Sequence, residues 1–282
     1  YVCFAVAISA TLGIAFSANL LTLFVFYEIL TFSTYPLVTH KGDEASRQAG
    51  RKYLGILVGT SVCLLLAGIL WTHQITGSGT FTQGGLLPND LAKGTVGILM
   101  ALYAFGIGKA ALMPFHGWLP AAMVAPTPVS ALLHAVAVVK AGVFTVIKVV
   151  VYVFGIDLLA DSGGADWLVY VAGCTTMIAS FIALQQDNLK RRLAFSTIGQ
   201  LAYVVLAVAI FTPAATMGAT LHIAGHAFGK ITLFFAAGAI YTSAHLTLVS
   251  QLDGVGRRMP ITLLAFGLGS LSMIGLPPTA GF

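Results

Sequence analysis

His222, His226 and Lys230, in the stretch LHIAGHAFGK, recur every four residues. On a helix they line one face over about 12 Å. Imidazole titrates near neutral pH and passes a proton through either ring nitrogen, so stacked groups of this kind are candidates for a proton relay. A hydrogen-bonded packing role is the plainer reading of each histidine taken alone. Glu28, Lys109 and Lys140 are the other groups with usable chemistry, and His134 lies just upstream of Lys140. Desolvation lowers a lysine's proton affinity and a nearby carboxylate raises it again, so a Glu and a Lys that approach and separate make the lysine hold or release its proton. Bond-making chemistry has no such support: the chain carries no P-loop, dinucleotide fingerprint, CxxC set or nucleophile elbow. Two histidines four apart could ligate a metal or haem, but no further ligand pattern joins them. No metal, no cofactor and no catalytic redox site are expected on this chain.

The elements that must position these groups follow from composition. Of 282 residues 58% are hydrophobic, and 14 Lys+Arg with 9 Asp+Glu make only 8% charged; mean hydropathy is +0.94. A soluble domain carries about 25% charged residues, and a disordered one needs low hydrophobicity, so both classes are excluded. Apolar runs predict helices at 1–16, 18–39, 52–72, 94–113, 128–154, 166–185, 191–211, 216–246 and 260–276. Hydrocarbon forces the helical reading, because each backbone polar group must be satisfied within its own segment. The expected fold is all-α: one polytopic transmembrane bundle with discontinuous helices over residues 1–282, of about nine spans. Glu28, Lys140 and Lys230 then fall at span centres, and Lys109 about 22 Å along its helix. Each such group costs about 2.5–3.5 kcal/mol or more to insert. Lys148, near its helix end, can instead snorkel to the interface.

Prolines mark where helices must break. MPFHGWLPAAMVAPTP carries Pro114, Pro120 and Pro126 with Gly117, and Leu276 is followed by Pro277 and Pro278. Broken helices at membrane depth survive only where protein or a watery cavity satisfies the freed backbone, which ties them to ion pathways, although a re-entrant turn without a transport role is the alternative. Lys and Arg collect in three connections on one side: Lys41, Arg47, Arg51 and Lys52; Lys190, Arg191 and Arg192; Arg257 and Arg258. The positive-inside bias assigns that side, with the 114–127 loop, to the cytoplasm. The net charge of +5 is too scattered for a nucleic-acid partner. Cys3, Cys63 and Cys174 are expected to be small buried residues rather than a disulfide framework. Neither end reads as a terminus, so an internal fragment is expected.

Four stretches carry a resemblance: GKAALMPFHGWLPAAMVAPTPVSALLHAVAVVKAGVF, LKRRLAFSTIGQLAYVVLAV, LHIAGHAFGKITLFFAAGAIY and GLPPTAGF. They resemble the antiporter-like proton-translocating subunits of respiratory complex I (its L, M and N subunits), Mrp-type cation/proton antiporters and membrane-bound hydrogenases. FYEILTFSTYPLVTHKGDEASRQAGRKYLGIL is most similar to the D-type subunit of Mrp antiporters. The resemblance implies that Glu28 pairs with Lys109 of a broken helix. It makes Lys140 the central lysine of the next helix, with His134 before it, and places His222, His226 and Lys230 on the path joining two half-channels. It also implies a lysine or glutamate after the second break, beyond this chain, and about three helices ahead of it. Its implied partners are other membrane subunits, antiporter-like paralogues among them, together with protons, Na+ or K+ and the lipid bilayer. The implied location is the bacterial plasma membrane, and any NADH-quinone oxidoreductase chemistry would lie on other chains. A stand-alone transporter for a small organic substrate and a structural scaffold are the other readings.

Overall fold

The computed structural model describes residues 1–279 and 281. It is all-α. Among the described residues, pairing of extended backbone is confined to two isolated bridges, Asn19 with Thr80 and Asn188 with Leu248. The helices are α1 (Val2–Phe16), α2 (Leu20–Val38), α3 (Glu44–Thr76), α4 (Lys93–Gly106), α5 (Thr127–Phe154), α6 (Ile156–Ser162), α7 (Trp167–Gln185), α8 (Leu189–Val208), α9 (Pro213–Ala244) and α10 (Pro260–Ile274). Five of them, α2, α3, α5, α7 and α9, are long and apolar enough to cross a membrane, and α1, α4 and α10 are shorter apolar helices. With α8, every expected run has a helix in its place.

Burial identifies the pillar of the bundle. In its most apolar window α5 is 78% buried, against 22% for α7, so α5 stands inside the bundle and α7 at its rim. α5 touches α1, α2, α4, α8 and α9, while α7 packs on α8, α8 on α9 and α9 on α10. Large apolar side chains such as Leu21, Phe181, Leu184, Phe228 and Leu264 point outward, as a lipid solvent requires.

Several boundaries differ from expectation for physical reasons. α3 starts at Glu44 rather than 52, because Asp43 caps it by accepting from Ser46 N at 2.8 Å, and its first turns are amphipathic: Ser46, Ala49 and Gly50 are buried while Glu44, Arg47 and Arg51 face outward. Hydropathy alone misses such a turn. α4 stops at Gly106, well before Pro114, so Lys109 is not carried on a helix but on a single 3₁₀ turn, Gly108–Ala110. Helix α5 is interrupted by π turns at Leu132–Val136 and Val150–Phe154, and its backbone is displaced at Ala137, with ψ at −72°. The short helix α6 has no counterpart in the hydropathy runs. α10 ends on Gly275, in the left-handed region at φ 78°, just ahead of Pro277 and Pro278. Ala280 and Phe282 of the GLPPTAGF stretch lie outside the described residues.

The two ends of the bundle differ in charge. At the basic end Lys41 and Lys190 line one cavity, Lys52 and Arg191 another. There Asp187 ties the 186–188 connection to Ser250, accepting from its backbone N at 2.9 Å and its hydroxyl at 2.8 Å. Residues 114–127 sit at this same end but are not an open loop, since Trp118, Leu119 and Ala122 are fully buried. Cys63 and Cys174 are exposed and Cys3 is half-buried, contrary to the expectation of burial. A thiol behaves as a small hydrophobe, so a lipid-facing flank accepts it.

Candidate functional site

Lys109 is held where a helix has come undone. Its ammonium donates to Tyr27 O at 2.9 Å and to Thr31 Oγ1 at 2.6 Å, and lies 3.2 Å from the Tyr27 ring centroid. Its backbone N donates to the Tyr27 hydroxyl at 3.1 Å, and Trp118 Nε1 donates to Gly108 O at 3.0 Å. Side chains from α2 and from the proline segment thus satisfy backbone groups that the broken helix leaves free, which is the condition for breaking a helix in lipid. Gly142 on α5 permits the close packing: a β-carbon there would collide with the Lys109 and Ala110 backbone.

Glu28 is not bonded to Lys109. Its carboxylate oxygens are shielded from solvent and have no hydrogen-bond partner among the described residues. The reason is helical phase. Tyr27 and Glu28 are successive on α2 and so point about 100° apart; Tyr27 faces Lys109, and Glu28 faces a groove lined by Cys3, Val6 and Phe24. The pair implied by resemblance is therefore not a direct contact in this structure.

A second group of residues lies on the far side of α5. Two residues separate Lys140 from Gly142, a rotation of about 200°, so Lys140 points away from Lys109 and toward α9. There its ammonium makes a close contact with Nδ1 of His226. The His226 and His222 rings stack with centroids 6.1 Å apart, and His222 Nε2 donates to Gln200 Oε1 at 2.7 Å. Gln200 in turn donates to Met273 O at 3.4 Å. His222 opens onto a cavity of about 360 Å³ near Tyr203 and Ala215, toward the end away from the basic loops.

Lys230 does not join that column. Eight residues turn a helix about 80° past two full turns, so Lys230 points from α9 to the start of α8, donating to Ser196 Oγ at 2.8 Å and Leu193 O at 3.2 Å. His134 is fully buried in the first π turn of α5, with its ring 5.3 Å from that of Phe234 and neither nitrogen bonded among the described residues.

Lys148 departs from expectation. It does not snorkel: it is 7% exposed and donates to Ala15 O at 3.0 Å, Ser17 O at 2.7 Å, Ser17 Oγ at 3.0 Å and Ile14 O at 3.3 Å. It therefore closes the C-terminal carbonyls of α1, which lack partners within their own helix. Tyr27, Thr31, Ser196 and Gln200 also escaped the sequence reading. Their signal was a polar side chain inside an apolar span, weaker than a charge yet of the same kind. Among the described residues no three His, Cys, Asp or Glu side chains gather to hold a metal ion.

Fold and site together define a polytopic helical membrane protein with buried lysines held by hydroxyls, backbone carbonyls and one histidine, and a helix broken at one of them. The sequence pattern described as NADH:quinone oxidoreductase/Mrp antiporter, TM matches residues 17–282, and the chain belongs to that family. It is 34% identical to the A/B subunit of a probable K(+)/H(+) antiporter of Rhizobium meliloti (strain 1021), over 96% of this chain and 27% of that protein. It is 34% identical to the N subunit of NADH-quinone oxidoreductase of Desulforudis audaxviator (strain MP104C), over 100% of this chain and 56% of that one. In structure it resembles a chain of the Mrp complex from Dietzia sp. DQ12-45-1b, with a TM-score of 0.89, 32% identity and coverage of 98% of this chain and 30% of that chain. It also resembles a chain of the membrane-bound sulfane sulfur reductase, an archaeal respiratory membrane complex, with a TM-score of 0.85 and 29% identity over 98% of this chain and 56% of that chain. The chain thus spans from about a quarter to about half of these relatives. The relatives named thus include both Mrp-type antiporter and complex I-type proteins.

Proposed function

We propose that this chain is the proton-conducting core of a membrane subunit in a multisubunit cation/proton antiporter or complex I-like pump. The observation that carries the reading is the contact of Lys140 with His226, continued through His222 to Gln200. Lys140 protonates and deprotonates against His226 Nδ1. Passage between the two rings takes one bridging donor–acceptor such as water, and His222 hands the proton to the cavity beside Tyr203. On the basic side Lys230 and His134 continue the path. Lys109, held by Tyr27 and Thr31, is the loading group, and movement of Glu28 relative to it sets its affinity. Pro114 and Pro120 keep the segment after Lys109 in short separate turns rather than a continuation of α4, and Pro277 and Pro278 stop α10 from continuing.

The relatives named above are subunits, or chains of complexes, which supports other membrane subunits as partners, antiporter-like paralogues among them. Exchange of Na+ or K+, redox chemistry on other chains, and residence in the bacterial plasma membrane belong to the same proposal. A stand-alone transporter of an organic substrate is not favoured, since the relatives named above are subunits or chains of multisubunit assemblies. The test is proton flux into vesicles containing the assembled full-length complex. Replacing Lys109 by Ala lowers flux by about 100-fold, the scale of a lost acid–base group, with assembly intact; unchanged flux in an assembled variant refutes the role.

A further inference from the structure

At the basic end a cavity of about 560 Å³ lies between the start of α8, the middle turns of α3 and the proline segment. Its polar wall is Lys52, His116, Asn188 and Arg191, and its apolar wall includes Met123 and Phe195; none of the lining residues is acidic. The neighbouring cations are committed elsewhere: Lys190 donates to Ala125 O at 2.8 Å, and Arg192 to Gln186 O at 2.9 Å and Leu184 O at 3.3 Å. Lys52 and Arg191 are therefore the cations that face the cavity, with the Lys52 chain laid across Gly117, where a β-carbon would stand 3.3 Å from Nζ. His116, half-buried, completes the polar wall. The proton path proposed above uses none of these groups.

Two cations beside an apolar wall, at the basic end of an apolar bundle, match an amphiphile whose polar end is a phosphate. We propose that this cavity binds a phosphate-bearing anion, and that its source is an anionic phospholipid of the basic-side leaflet. Arg191 and Lys52 take the phosphate oxygens, and an acyl chain lies along Met123 and Phe195. The lipid then braces the segment that carries Trp118, whose indole holds Gly108 next to Lys109. Anionic lipid thereby stiffens the turn that presents the loading lysine. The inference rests on cavity geometry and holds whether or not Lys109 carries protons.

The test measures thermal unfolding of the full-length protein in phosphatidylcholine nanodiscs, with and without phosphatidylglycerol, and separately with 10 mM inorganic phosphate. Phosphatidylglycerol raises the midpoint by about 5 °C, inorganic phosphate does not, and the double variant K52Q/R191Q loses most of the shift. The double variant R257Q/R258Q, which removes two charges from the same end but outside the cavity, keeps it. A shift with inorganic phosphate but not with the lipid retains the anion site and overturns the lipid source. No shift in the unmodified protein, or equal loss in both double variants, overturns the site.

Discussion

Lys109 and Lys140 show that a buried cation is defined by its acceptors. Thr31 Oγ1 is 2.6 Å from the Lys109 ammonium, and Thr31→Val removes that acceptor while keeping the shape. The variant loses about 1–3 kcal/mol, the cost of stranding a buried polar group, read as a lower unfolding midpoint in detergent. Outside the membrane, Asp187 offers a pH test. Hydrogen bonds from the Ser250 backbone and hydroxyl hold its carboxyl below the ordinary 3.8. A lowered folded-state pKa gives stability that is present above the unfolded value and lost as pH falls through the folded one. The midpoint gap between the unmodified protein and Asp187→Asn is therefore constant well above the ordinary carboxylate range and narrows as pH falls through it and below; a gap that widens with acid contradicts the assignment. The sequence located the charged groups, because a charge in an apolar span is conspicuous. It could not locate Thr31 or Gln200, because a hydroxyl or amide in a span also serves by bonding back to its own helix.

At the scale of elements, the helices were legible and their interruptions only partly so. Proline announces a break, yet the first break falls at Gly106, where it is set by tertiary contacts: Trp118 and Tyr27 reach the freed backbone, and Gly106 lets α4 lie against the Leu65 backbone of α3. No local pattern carries that information. Gly142→Ala drives a methyl into the Lys109 turn and costs about 1–3 kcal/mol, whereas Gly59→Ala, which meets nothing within 4 Å, is neutral or mildly stabilising. Paired unfolding midpoints decide it, and equal effects at both sites contradict the packing account. Lys148→Met strands carbonyls at the end of α1 and costs about 1–3 kcal/mol; if Lys148 merely snorkelled, the variant would be as stable as the original.

Over the whole molecule, the arrangement is a buried pillar, α5, with one cationic site on either side of it. Lys109 lies against α2 on one flank, Lys140 against α9 on the other, and Gly142 between them brings the broken turn onto the pillar. The basic connections gather at one end and His222 opens toward the other, so the series Lys140, His226, His222 and Gln200 leads from the pillar toward the end away from the basic loops. Family membership accounts for the fold, while the claim that protons move along this chain stands on the geometry of four side chains. The most direct measurement is a double-mutant cycle on proton flux, using Lys140→Met, His226→Leu and the combined variant in assembled protein. Groups that act as one unit are non-additive: each single variant lowers flux by about 100-fold, and the double variant is no slower than the slower single. Multiplicative losses in the double variant, or full flux in either single, would contradict the account.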